Sequence, residues 1–162
     1  MDNRKYYDLS LNFVCKLEGY KTLLKNIHWS APQLTYHREI DDLLDEVGEF
    51  QDIIAEASMG YLGEQFKMGD LKGIMANVSD PLAILKSIHS DTMSFYTTIK
   101  NDDTLIGVVN AVNDFQQGLL KFLYLFPLAA KDGATEIPMG NTPPKPSALV
   151  DVLKDRSTHV AL

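Results

Sequence analysis

The feature that most constrains the fold of this chain is a helical hydrophobic pattern that recurs in four separate segments. Within each segment the apolar residues return at three- and four-residue steps, which places them on one stripe of an α-helix. The four stripes run from Leu9 to Ile27, from Ile40 to Ile54, from Leu82 to Ile99 and from Leu105 to Phe126. The sequence therefore predicts an all-α protein built on four helices.

The connections between these helices differ in length. The segment SAPQLT after the first helix is short, whereas four glycines interrupt the pattern between Met59 and Val78. We expect this second stretch to be a crossover with at most one short helix, around Leu71 to Ala76. Asp80 and Pro81 then supply a capping residue and a first-turn proline for the third helix. Two helices, a long crossover and two more helices form a ferritin-like four-helix bundle.

The fourth predicted helix meets a proline at its end. Pro127 is predicted to end that helix or to lie just beyond it, so we assign residues 1–127 to the ferritin-like bundle. Residues 128–162 form a proline-containing C-terminal tail with four of the seven prolines of the chain. One short helix near Ala148 to Lys154 is compatible with this tail.

The composition fits a single domain in a reducing compartment. A chain of 162 residues can bury about two thirds of its unfolded surface in one core. Cys15 is the one cysteine, so no internal disulfide can form, and we expect it to pack in the first helix. No apolar run approaches the roughly 18 residues of a membrane span, and the start lacks a secretory signal pattern. We therefore expect a cytoplasmic protein without a membrane partner.

Four side chains on the second helix carry the chemical signal. His37, Asp41, Asp52 and Glu56 lie within about 100° of one another around the helix, and His28 stands near the end of the first helix. Imidazole and carboxylate together suit iron, manganese or zinc. The alternative without a metal site is an acidic helix face exposed to water, which is the usual state of such a stripe.

The axial spacing of these residues separates them into two pairs. At about 1.5 Å per residue, Asp41 and Asp52 are roughly 16 Å apart, and His37 and Glu56 are nearly 30 Å apart. No single metal centre can touch both pairs of one helix. If two copies pack antiparallel across a twofold axis, the His37 end of one subunit meets the Glu56 end of the other. His28 can join the first pair, so the sequence favours a site shared between subunits.

Other metal and nucleophile sites are not supported. An in-bundle di-iron site needs Glu-x-x-His on two helices. The residues three positions before the four histidines are Lys25, Leu34, Lys86 and Arg156, and none of them is acidic. A hemerythrin-type site needs more helical histidines, and a single cysteine excludes zinc fingers.

The stretch IHWSAPQLTYHREIDDLLDEVGEFQDIIAE resembles the Dps family, the ferritin-like DNA-protection proteins of starved cells. In that family a His-Trp pair ends the first helix, and a His followed four residues later by Asp opens the second. An Asp-x-x-x-Glu follows, with its Asp fifteen residues after that His. The matching residues here are His28 with Trp29, His37 with Asp41, and Asp52 with Glu56.

The resemblance implies an activity and an assembly. It implies oxidation of ferrous iron, usually by hydrogen peroxide, at sites between twofold-related subunits, with His28, His37, Asp41, Asp52 and Glu56 as metal ligands. The ferric product would be stored in a hollow shell of twelve subunits. By family analogy, Trp29 would be a local sink for oxidising equivalents.

The chain also departs from the family pattern. The loop between His28 and His37 is shorter, and Ala31-Pro32 replaces a Gly-Pro pattern. Ala57 stands where a basic residue commonly follows the Glu, and the tail has no clear family counterpart. The formal net charge of −7 and the few basic residues at the termini predict weak or absent DNA binding.

Two alternatives stay open from the sequence. The chain can be a ferritin-like structural or interaction protein that uses its tail for partners and does not oxidise iron. It can also be a zinc- or manganese-bound variant without redox turnover, because ligand types alone do not select the metal.

Overall fold

A computed structural model describes residues 1–31, 33–78 and 80–132 of the chain. This part contains four α-helices: α1 (Asn3–Ser30), α2 (Leu34–Leu62), α3 (Pro81–Ile99) and α4 (Ile106–Asp132). Two 3₁₀-helices, Met68–Asp70 and Asp103–Leu105, lie in the connections. No β-strand occurs in the described ranges. The predicted all-α fold with four helices is therefore confirmed.

The helices form a ring in which each packs against two neighbours. α1 packs on α2 and α3, and α4 packs on the same two helices. Buried apolar side chains from all four helices meet in a single core between them. Two stacked aromatic pairs cross this core, Phe13 on Phe95 at 4.5 Å and Phe50 on Phe115 at 3.8 Å between ring centroids. These contacts set the axial position of α1 relative to α3 and of α2 relative to α4.

The start of α3 follows the prediction. The Asp80 side chain accepts a hydrogen bond of 2.8 Å from the backbone N–H of Ala83, and Pro81 occupies the first turn. This arrangement satisfies one of the free N–H groups at the helix start, and the missing N–H of proline costs nothing there. The end of α2 uses Gly63, whose φ of 68° lies in the left-handed region that favours glycine.

The crossover between α2 and α3 lies along α1. Its backbone N–H at Ile74 donates a hydrogen bond of 2.8 Å to the carbonyl oxygen of Cys15, and the buried Cys15 thiol contacts the Asp70 carbonyl oxygen at 3.4 Å. Gly19 allows this approach, because a Cβ there would lie 2.0 Å from the Ile74 carbonyl oxygen. The crossover is thus fixed to α1 through backbone groups.

Two local predictions were wrong. The structure has no helix over 71–76, and the short helix lies earlier, at Met68–Asp70. The bond from Ile74 to α1 uses a backbone N–H that a local helix would need. α4 also continues through Pro127 to Asp132. Although Pro127 cannot donate a helical hydrogen bond, Phe126 and Ala129 are buried on either side, and their packing offsets that loss.

The boundary assigned at residue 127 thus falls inside α4. The rest of the predicted tail, from residue 133 onward, lies outside the described residues, as does its short helix near Ala148 to Lys154. None of the helices in the described ranges is both long and apolar enough to cross a membrane.

Candidate metal centre

Three of the five predicted ligands meet where α1 ends and α2 begins. His28 lies in the last turn of α1, and His37 and Asp41 lie one turn apart on α2. One potential ligand atom of each lies within 4.8 Å of those of the other two. The short connection between the helices and the four-residue spacing on α2 explain this meeting.

His28 contributes a buried nitrogen that has no hydrogen-bond partner among the described residues. The residue is 9% exposed, and its Nδ1 lies 3.0 Å from Oδ1 of Asp41. This contact is an ion pair only when the imidazole is protonated, and Nδ1 forms no hydrogen bond with any described residue. A buried polar atom without a partner costs free energy, and a cation between the imidazole and the carboxylate would remove that cost.

His37 is held by the backbone of the preceding helix. Its Nδ1 lies 2.9 Å from the carbonyl oxygen of His28, and the two imidazole rings stack with centroids 3.7 Å apart. A carbonyl oxygen only accepts hydrogen bonds, so Nδ1 of His37 carries the proton. In the neutral ring, Nε2 then keeps a free lone pair, which is the usual arrangement of a metal-binding histidine.

The donor set fits a divalent transition metal. Two imidazoles and one carboxylate suit ferrous iron, manganese or zinc, and three protein ligands leave coordination positions open. The Asp41 side chain is half exposed, so the group can be reached from the surface. The geometry is therefore that of a half-site that can hold a cation and accept further ligands from elsewhere.

Asp52 and Glu56 do not join this group. Both side chains are exposed and lie further along α2, three and four turns beyond Asp41. Asp52 lines a separate cavity between α1, α2 and the crossover. Their predicted part in a metal site thus stays a prediction, and within the described ranges the three-residue group is the one cluster of metal-binding side chains found.

Two open cavities lie side by side in the groove between α1 and α2. The first, here called the Asp52 cavity, has a volume of about 690 Å³, and the second, the Trp29 cavity, has about 760 Å³. Glu18 and Lys21 line both. Between the two helices, the buried Gln51 side chain donates to the Val14 carbonyl oxygen and accepts from Lys21. The groove is therefore a continuous, built surface with polar groups along its floor.

Sequence reasoning missed two features of this region. The first is the His28 carbonyl oxygen that orients His37, since a backbone atom has no residue-type signature. The second is the Asp52 cavity, which needs the crossover as one of its walls. Comparisons of the chain with family models, curated proteins and solved structures found no match. The function is therefore inferred from the residues and their geometry.

Proposed function

We propose that this chain is a Dps-like ferroxidase and iron-storage protein that oxidises ferrous iron at sites shared between two subunits. The observation that carries the proposal is the buried Nδ1 of His28, which lies 3.0 Å from the Asp41 carboxylate and forms no hydrogen bond with the described residues. The oriented imidazole of His37 supports it, because its ring is prepared for a metal before any metal binds. Manganese and zinc are alternative occupants with the same ligand preference.

The order and direction of the helices support a ferritin-like topology. The crossover begins near Tyr7, where Phe66 packs on its ring, and reaches Gly19 by Ile74, so it follows α1 toward the start of α3. α2 and α4 run antiparallel, since Phe50 packs on Phe115 and Tyr36 packs on Phe126. This is the connectivity of a bundle with one long crossover.

A second copy of the chain would supply the missing ligands. We consider two α2 helices paired antiparallel with their centre between positions 46 and 47. In this register His37 faces Glu56 of the partner subunit. The same register sets Asp41 against Asp52 of the partner subunit. This one pairing therefore brings the two ligand pairs together into a two-metal site, and the twofold axis gives two such sites in each dimer.

The reaction treats ferrous iron as substrate. Two ferrous ions each lose one electron, and hydrogen peroxide takes up both electrons as its O–O bond breaks. Water then supplies the remaining oxygen, and the products are ferric oxyhydroxide and protons. Carboxylate ligands favour the ferric product because hard oxygen donors prefer the higher charge. We propose storage of this product in a shell of twelve subunits, with weak or absent DNA binding.

The test mixes two inactive variants of the full chain. His37→Ala and Asp52→Ala are unfolded together and reassembled, and iron oxidation is followed by the absorbance of the ferric product after addition of ferrous iron and peroxide. In a mixed dimer, one site carries both substitutions and the other carries neither. Random pairing then restores about one quarter of the wild-type activity.

The control is Asp42→Ala, which removes an exposed acidic side chain next to Asp41 that does not belong to the metal-binding group. It is expected to oxidise iron like the wild type. If mixed dimers form and no activity returns, the shared site is wrong. If the wild-type chain neither binds ferrous iron nor oxidises it above background, the structural or interaction role replaces the proposed function.

A further inference from the structure

Trp29 is an exposed aromatic side chain beside the candidate metal centre. It is the one tryptophan of the chain, it follows His28 directly, and it is 71% exposed. Its ring lines the α1–α2 groove, with the Lys25 ammonium 5.9 Å from its centroid. Tryptophan is enriched among the residues that dominate protein interfaces, because a large rigid ring gains much when it is buried.

The Asp52 cavity lies in the same groove and is a candidate binding pocket for a ring such as that of Trp29. Its lining includes the apolar side chains of Val14, Ala55, Met59 and Phe66 together with several charged side chains. A volume of about 690 Å³ is ample for an indole, since pockets of roughly 300 to 1,000 Å³ accept drug-sized molecules. Glu18 also lines the cavity, and although its Oε2 accepts from Lys21 and Gln51, the carboxylate has further acceptor capacity for an indole N–H.

The register of the shared metal site brings these two features together. His28 contacts Asp41, so Trp29 lies level with the first turns of α2. In the antiparallel pairing, each position of one α2 lies opposite the position of the other α2 that is equally far on the other side of the centre between 46 and 47. The first turns of one α2 therefore lie opposite the part of the partner's α2 close to Ala55. Ala55 is part of the wall of the Asp52 cavity. The partner's Trp29 therefore arrives at the level of that cavity.

We propose that Trp29 of each subunit fills the Asp52 cavity of its partner and so fixes the register that completes the metal site. The occupant of the α1–α2 groove is a second copy of this chain. A Cβ added at Gly48, close to the centre of the pairing, would meet no heavy atom of the described residues within 4 Å, so these residues leave the groove open where the two α2 helices would approach. The inference rests on the proposed function, because the shared site supplies the register.

The first test uses Trp29 as its own probe in the full chain. On dilution from dimer to monomer, the tryptophan emission is expected to shift to longer wavelength as the ring enters water. Trp29→Ala is expected to raise the dimer dissociation constant at least about 30-fold, as for a central interface residue, when measured by sedimentation equilibrium. Tyr124→Ala, which removes a ring 69% exposed on α4, serves as the control and leaves that constant unchanged.

A second variant distinguishes docking from folding. Ala55→Phe fills the cavity from its own wall, so it is expected to weaken the dimer while zinc binding at His28, His37 and Asp41 is retained. Adding Trp29→Ala to Ala55→Phe removes the clash and restores part of the association. Recovery of this kind requires that the two positions meet across the interface.

Several results overturn the inference. They are a chain that stays monomeric at all concentrations, a dimer whose tryptophan emission equals that of the monomer, and a Trp29→Ala variant that associates like the wild type. If the mixed-variant test restores iron oxidation and Trp29 is nevertheless exposed, the docking fails alone. If Trp29 is buried in the dimer and iron is not oxidised, the proposed function fails and the docking stands.

Discussion

Substitution of Gly19 by alanine is a direct test of how the crossover is held. A Cβ at this position would lie 2.0 Å from the carbonyl oxygen of Ile74 and 2.6 Å from its carbonyl carbon. Both are backbone atoms, so a side chain cannot rotate away and the crossover itself must move. The bond from the Ile74 N–H to the Cys15 carbonyl oxygen, 2.8 Å long, would be lost with it.

The net effect follows from three opposing contributions. Loss of the hydrogen bond costs about 1 kcal/mol, and overpacking costs about 1 to 3 kcal/mol. Alanine in a helix interior is better than glycine by about 1 kcal/mol, which offsets part of that cost. We expect Gly19→Ala to lower the free energy of unfolding by about 1 to 3 kcal/mol.

Urea unfolding followed by far-ultraviolet circular dichroism, at one protein concentration, measures this change. Gly60→Ala is the matched control, since Gly60 lies in α2 and no described residue comes within 4 Å of a Cβ there. It should leave the stability unchanged or raise it by up to about 1 kcal/mol. Hydrogen exchange at the Ile74 amide should accelerate in Gly19→Ala alone. A Gly19→Ala protein with wild-type stability and an unchanged exchange rate at Ile74 would refute the reasoning.

Two further predictions concern the metal-binding group and the α1–α3 contact. His28→Gln should weaken zinc binding by more than the roughly 10- to 100-fold typical of losing a supporting group, as measured by calorimetry, because it removes a ligand; equal affinity would exclude His28 from the site. Burial and the 2.7 Å hydrogen bond to Asp91 raise the pKa of Tyr20, so its neutral form is favoured in the folded state and its stabilising contribution is complete below the unfolded pKa of about 10. The free energy of unfolding should therefore decline as pH rises above about 10, and Tyr20→Phe should decline less between pH 8 and pH 11 in urea titrations; an identical decline in both proteins would contradict this assignment.

The four helices were predictable because apolar residues recur at helical spacing along the chain. The conformation of the crossover and the end of α4 depend instead on contacts between distant residues. The periodicity of residues such as Phe13 and Phe50 is visible in the sequence and identifies the buried faces. The crossover conformation depends on a bond from Ile74 to a residue almost sixty positions earlier. The passage of α4 through Pro127 depends on burial of Phe126 against Tyr36 of α2. Neither contact leaves a local pattern in the sequence.

The candidate site was predictable to the extent that its ligands follow a regular spacing. His37 and Asp41 are four residues apart on one helix, and His28 is brought in by a short connection, so the structure unites these three. Asp52 and Glu56 lie too far along the same helix for one subunit to join them to that group. The orientation of His37 by a carbonyl oxygen could not be predicted, because every residue carries one.

The contact between Gly19 and the crossover links the stability of the bundle to the shape of the groove between α1 and α2. The crossover contributes Phe66 to the buried core, and it also forms one wall of the groove that α1 and α2 share. A single methyl group at Gly19 would therefore reshape that wall while the bundle stays folded. Such a variant would lose stability and, under the proposed docking, would also pair less well with its own copies, so its defect would be seen both in urea unfolding and in assembly.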